Sequence, residues 1–223
     1  DDGSCIYPAA PMVNLFFSEY AEGSSDNKYL EIYNPTTDTV DLSAYAYPSV
    51  SNSPTTVGVY EYWNSFDAGA VILPNDVYII ANPSSEPSIL AESDETHYYL
   101  SNGDDGYALV YGAAPGSPVD ALTGGYVILD FIGDWNGDPG DGWSVSGVSN
   151  ATKEHTLVRK CNIFQGNSDW TLSAGTDSLS SEWVVLNQDD WSYLGMHSSS
   201  CSILGCTDST AANYDAAAET DDG

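Results

Sequence analysis

The sequence predicts an all-β sandwich followed by a small, acidic, loop-rich C-terminal segment. Three observations carry this: short runs in which apolar and polar residues roughly alternate, turn residues spaced regularly between them, and almost no helical periodicity.

The strand texture starts at Val13, and Phe17–Tyr20 opens the series. Lys28–Tyr33 is the cleanest strand, with Leu30 and Ile32 on one face and Tyr29, Glu31 and Tyr33 on the other. Further strands are expected at Val40–Tyr47, Thr56–Trp63, Val77–Ala81, Tyr107–Tyr111, Tyr126–Ile132, Thr156–Lys160 and Glu182–Leu186. The punctuation between them is chemical. Asn34-Pro35, Leu73-Pro74-Asn75-Asp76, Asn102-Gly103-Asp104-Asp105-Gly106 and Gly124-Gly125 all supply residues that favour turns. A single short helix is expected around Asp208–Ala218. Ser198-Ser199-Ser200 reads as a linker, so the chain divides into an acidic, cysteine-bearing end (1–12), the sandwich (13–197), and the linker with an acidic segment (198–223).

Charge is the most unusual property of the chain. Thirty-three Asp and Glu face only Lys28, Lys153, Arg159 and Lys160, a net charge of −29. Nucleic acid and anionic membranes bind through Lys and Arg patches, so neither is expected as a partner. Charge of one sign repels itself and destabilises the compact state, and divalent cations are the simplest neutraliser. The plainer reading is a highly soluble acidic surface. With 42% hydrophobic and 12% aromatic residues, the chain is too apolar for a disordered polyanion. No segment reaches the roughly 18 apolar residues of a membrane span.

Cys5, Cys161, Cys201 and Cys206 allow three intrachain pairings, and none belongs to a CxxC pair. Structural disulfides fit better than zinc or redox chemistry, and they imply an oxidising, secreted, cell-surface setting. Catalysis finds little support. His97, His155 and His197 stand apart from any Cys or G-x-S-x-G serine, and no HExxH or phosphate-binding glycine loop is present. Paired carboxylates mean nothing in so acidic a chain, so no catalytic residue is assigned and the protein is expected not to be an enzyme.

Two acidic loops carry the metal chemistry. The first offers Asp208, Asn213, Asp215, Glu219, Asp221 and Asp222 as closely spaced oxygen ligands. Calcium needs six to eight such oxygens. Asp221-Asp222-Gly223 also repeats Asp1-Asp2-Gly3, so the motif that ends at Gly223 continues naturally as Ser4-Cys5-Ile6-Tyr7-Pro8. Joined this way, the chain reads as one unit of a tandem array or polymer with a period of about 220 residues, and Asp1 and Asp2 join the ligand set. A chance match and a solvated acidic linker are the plain alternatives. The second loop holds Asp134, Asn136 and Asp138 at the 1, 3, 5 spacing of a calcium loop, with Asp141 beyond. Pro139 and Val145 stand where such a loop needs Gly and Glu. A tight turn packed by Trp135 and Trp143 explains the second loop equally well.

Read across the junction, the terminal segments resemble the Cys-flanked acidic repeats of GC(T/M)D…A.NYD…DDGSC form found between domains of secreted bacterial proteins. That resemblance implies calcium binding and a disulfide closing the loop, with Cys206 paired to an equivalent of Cys5. The central region resembles bacterial lamin-tail domains. Leu15–Asn34 with Val40-Asp41-Leu42-Ser43 matches their opening, and Leu73–Asn82, Asn102–Val110, Asp130–Gly133, His155–Lys160, Glu182-Trp183 and Leu194–His197 follow in order. This likeness implies an immunoglobulin-like sandwich that binds partners or holds surface proteins together. Glu19, Glu31 and Asn34 match its positions and are read as structural, a buried Glu beside Lys28 pairing or hydrogen-bonding rather than catalysing.

The expected function is therefore structural: one repeat of a calcium-stabilised extracellular array or filament, with copies of itself, head to tail, as the partner. The alternative is an accessory adhesion or carbohydrate-binding module of a larger secreted protein. There Trp63, Trp135, Trp143 and the tyrosines would stack on a surface glycan, although such residues more often fill a core.

Overall fold

The computed structural model describes residues 15–198 together with 210–211. Among these, the strands are β1 (Phe16–Glu22), β2 (Lys28–Tyr33), β3 (Val40–Asp41), β4 (Tyr45–Ala46), β5 (Ser49–Val50), β6 (Val71–Ile72), β7 (Val77–Ala81), β8 (Glu95–Thr96), β9 (Gly106–Tyr111), β10 (Val127–Ile132), β11 (His155–Arg159) and β12 (Trp183–Leu186). Three short helices, α1 (Pro87–Glu92), α2 (Ala121–Gly124) and α3 (Trp170–Ala174), and a 3-10 turn at Leu42–Ala44 lie between them.

The strands form a six-stranded sheet in the order β12-β11-β1-β2-β7-β8 and a smaller sheet in the order β10-β9-β4, with β5 also on β9. β3 and β6 make a separate ladder. Pairing is antiparallel except between β7 and β8. Phe17, Tyr20, Leu30, Ile32, Ile80 and Leu157 from the large sheet share one core with Tyr45, Val50, Tyr107, Leu109 and Phe131 from the small one. This is an all-β, immunoglobulin-like sandwich, as the strand pattern predicts.

The two faces of β2 divide as their alternation requires, Leu30 and Ile32 entering the main core. On the opposite face Tyr29 clusters with Ala21, Ile79 and Ala81 under Ile89 of α1, and Trp191 and Leu194 pack against them. The large sheet is thus covered on both sides, which is why every residue of β2 is buried. Pro87 at the first turn of α1 fits because that position has no intrahelical use for an N–H.

Several expected strands differ in the structure. Val40–Tyr47 is broken by the 3-10 turn, where Asp41 caps the Ser43 amide. Thr56–Trp63 is not a strand. Gly58 adopts φ +77° in a turn, Val57 is left in solvent, and only a bridge from Tyr62 to Ser49 remains. The three helices are too short to show a helical period. The helix expected around Asp208–Ala218 lies outside the described residues apart from 210–211.

Two polar positions fix the frame. Asn34, fully buried, donates its side-chain amide to the carbonyls of Asp38, Ile72 and Leu73 at 2.8, 3.2 and 3.0 Å. Its Oδ1 accepts from the Thr36 amide and hydroxyl. Asn34→Ala strands these buried groups and is expected to cost about 2–4 kcal/mol, read by urea denaturation. Gly106 opens β9 where a Cβ would collide with the Asp134 carbonyl, and its own carbonyl accepts from Trp135 Nε1 at 3.2 Å.

Candidate functional site

The β1–β2 register sets Glu19 directly opposite Glu31, both buried. Ser18 Oγ donates to Glu31 Oε1 at 2.7 Å, and the Gly195 amide donates to Oε2 at 2.8 Å. The Tyr29 hydroxyl donates to Glu19 Oε1, while Glu19 Oε2 has no partner among the described residues. The register places Lys28 opposite a third buried glutamate, Glu22. It pairs with Glu22 at 3.4 Å and donates to Asn102 Oδ1 at 2.6 Å. Burial, reinforced by the neighbouring Glu31, pushes the Glu19 carboxyl up to about 8, and burial pushes Glu31 up to about 7. A carboxylate with an unpartnered oxygen in this setting would be expensive, so the neutral acid is favoured.

The segment 189–197 closes this face. Trp191 packs edge-on against Tyr29 and donates to Glu86 at 2.8 Å, and Asp189 accepts from the Ser24 amide. His197 lies between Phe16 and Tyr33, its Nε2 buried without a partner among the described residues, and burial pushes it down to about 4. Glu19, Glu31 and Asn34 therefore act in packing, as expected. His155 Nδ1 meets the Lys153 carbonyl, and His97 packs against Tyr47 and Tyr99.

A cleft of about 620 Å³ opens elsewhere, where the loop after β8 faces the strand β5 and residues 62–64. Tyr62, Tyr98 and Tyr99 line it and are 58, 71 and 83% exposed. His97, Asn64, Asn102, Asp26 and Asp105 supply polar groups around it, and Lys28 lies at its wall. The loop is firmly held. Tyr107 donates to the Tyr99 carbonyl at 2.9 Å, Asn82 donates to the Tyr98 carbonyl at 3.2 Å, and the His97 amide donates to the Ala81 carbonyl. Sequence reasoning missed this cleft because its walls come from six separate segments. The adjacent Tyr98 and Tyr99 were the available signal, since neighbours beyond a strand end cannot both enter one core.

The anticipated tryptophan platform is not formed. Trp135 is buried, and Trp63 and Trp143 pack against the core. In the second acidic loop, Asp134 Oδ1 accepts from the Asn136 amide at 2.8 Å and Asp138 Oδ1 from the Gly140 amide at 2.7 Å. Asp141 pairs instead with Lys153 at 3.2 Å. Among the described residues no group of three or more His, Cys, Asp or Glu is placed to hold a metal ion. Asp1, Asp2, Asp208, Asn213, Asp215, Glu219, Asp221 and Asp222 lie outside the described residues, as do Cys5, Cys201 and Cys206. Cys161 is within them and is disulfide-bonded. Among the described residues no helix is long and apolar enough to cross a membrane.

Residues 8–124 match the family model of the lamin tail domain. The chain belongs to this family. A lamin tail domain is an immunoglobulin-like, non-catalytic type of module suited to structural and protein-interaction roles. The matched segment of this lamin tail domain ends at the turn before β10, yet β11 and β12 complete the same sheet as β1. No curated protein and no solved structure matches the chain.

Proposed function

We propose that this lamin tail domain is a non-enzymatic extracellular structural module, one repeat of a calcium-stabilised surface array or filament. The observation that carries the reading is the fate of its cations. All four basic side chains are engaged within the fold: Lys28 by Glu22, Lys153 by Asp141, Arg159 by Asp130 and Glu182, and Lys160 by the Ser178 and Ser181 carbonyls. Four cations so engaged do little to offset 33 acidic residues, so two such acidic surfaces repel unless cations lie between them.

Asp208, Asn213, Asp215, Glu219, Asp221 and Asp222 of one unit, with Asp1 and Asp2 of the next, would supply the oxygens at the joint. A disulfide between Cys206 and a neighbour's equivalent of Cys5 would lock it. This reading rests on the terminal motif and the charge, and it asks nothing of the Asp134 loop. Calcium at a hundredfold excess over its dissociation constant adds about 2.7 kcal/mol per site. EDTA is therefore expected to disperse particles in light scattering and to lower the melting temperature of the assembled material by roughly 5 °C or more. Particles and a melting curve that ignore EDTA would end the proposal.

The tyrosine-lined cleft favours a second reading, an accessory adhesion or carbohydrate-binding module of a larger secreted protein. The two are compatible, because a repeat that builds an array can carry one ligand site on every unit.

A further inference from the structure

We infer that the cleft beside β8 is a binding site for a short, neutral oligosaccharide, with Tyr62, Tyr98 and Tyr99 as its stacking surfaces. The inference deepens the second reading above and is independent of calcium and assembly.

Shape comes first. A cleft of about 620 Å³ falls in the range of sites that take small molecules, and it is concave where a protein-docking face is flatter and wider. Its aromatic residues are unusual in this protein. Of the tyrosines in the described residues most are buried in the core, whereas these three keep their rings in solvent around one depression. Exposing them costs hydrophobic free energy that a ligand would recover. The bonds donated by the Tyr107 hydroxyl, the Asn82 side chain and the His97 backbone amide hold the 97–99 loop in place, so little ordering entropy opposes binding.

The polar lining then selects the ligand. A pyranose presents a face of C–H groups and a rim of hydroxyls, each hydroxyl both donor and acceptor. The rings of Tyr62, Tyr98 and Tyr99 suit the first. The His97 imidazole, the Asn64 side-chain oxygen, the Asn102 side-chain NH2 and the Asp26 and Asp105 carboxylates suit the second. Burial lowers the His97 pKa, which keeps the ring neutral and able both to donate and to accept. An anionic ligand is disfavoured, since the lining holds two carboxylates and its one cation, Lys28, is already engaged by Glu22 and Asn102. A strongly cationic ligand would be drawn to the whole surface rather than to this cleft.

The test uses the full chain and isothermal titration with neutral tetrasaccharides of glucose, xylose, mannose, galactose and N-acetylglucosamine. At least one is expected to bind, with tyrosine fluorescence changing on saturation. Tyr98→Ala/Tyr99→Ala and Tyr62→Ala should each weaken binding about fivefold to tenfold per ring removed. Both variants alter exposed side chains, so an unchanged circular dichroism spectrum and melting temperature should accompany the loss. Exposed Leu122→Ala, on α2 and outside the cleft, should leave affinity unchanged. The inference is overturned if no tetrasaccharide binds, if the tyrosine variants bind within twofold of the native chain, or if a proline-rich peptide occupies the cleft and no saccharide does. EDTA leaves the saccharide affinity unchanged, so failure here and failure of the calcium joint are told apart.

Discussion

Raising the pH from about 5 to about 9 lowers the melting temperature of the protein, most steeply between about pH 6.5 and 7. The cause is the buried pair on β1 and β2. Glu19 is pushed up to about 8 and Glu31 to about 7, from an ordinary value of 4.5. Between the unfolded and folded values, the folded chain holds protons that the unfolded chain has lost. Stability is therefore fully present below pH 4.5 and falls as the pH rises through the folded values. Each such proton is worth about 1.4 kcal/mol per pH unit, so the whole effect is several kcal/mol. His197 works the other way: held near 4 against an ordinary 6.5, it favours folding as the pH rises across that interval. It offsets one of the two glutamate protons up to pH 6.5 and none above, which is why the fall steepens there. Differential scanning calorimetry over this range reads the effect. Glu19→Gln/Glu31→Gln should flatten the profile above pH 6.5, since both amides are neutral throughout. A native profile that is flat or rising between pH 6.5 and 8 would refute the account.

Arg159→Met is expected to destabilise the fold by about 3–5 kcal/mol, enough to unfold a marginal domain. Arg159 is buried and holds four elements together. It donates to the Phe17 carbonyl of β1 at 3.1 Å, to Ser173 of α3 at 2.9 Å, to Glu182 beside β12 at 2.6 Å, and to Asp130 of β10. Its guanidinium carbon also lies 4.0 Å from the centroid of the Trp183 ring. Asp130 in turn accepts from the backbone amides of Phe17 and Asn167, both at 2.9 Å. Methionine fills most of the volume but leaves a carboxylate with no exposure and no counter-charge. Asp130→Asn in the same chain removes that charge while still accepting from one amide, so the double variant should be more stable than Arg159→Met alone. Guanidinium denaturation of the three variants measures this. A double variant no better than the single one would show that packing, not the stranded charge, sets the loss.

These two networks mark the limit of what the sequence discloses. β2 and β7 coincide with the expected Lys28–Tyr33 and Val77–Ala81, because one alternates and the other is a short apolar run behind a turn. Thr56–Trp63 alternates too but is interrupted by the turn at Gly58, and it keeps only the bridge from Tyr62 to Ser49 while Tyr60 enters the core. The caps of two missed helices were readable in hindsight: Asp169 ahead of Trp170 with Gly175 behind, and Asp120 ahead of Ala121 with Gly125 behind. Burial of Glu31 follows from the family resemblance and not from the strand pattern. A strand with glutamate and tyrosine on its second face looks solvated until α1 and the 189–197 segment, far along the chain, are seen to cover it. The cleft is hidden for the same reason, being assembled from residues between Asp26 and Tyr107 that share no local pattern.

The place of β1 has a kinetic meaning. It is the first strand of the described chain to be synthesised, yet it sits inside the six-stranded sheet between β2 and β11, with Glu19 facing Val158. Its second edge stays open until β11 is made, and the same strand brings Arg159 to Asp130. So non-local a sheet folds slowly, and only after β11 has emerged. Throughout that wait an exposed β edge invites pairing with other nascent chains, and the repulsion among so many carboxylates keeps them apart. The acidity that must be neutralised in an assembly would, before folding, act as the chain's own chaperone.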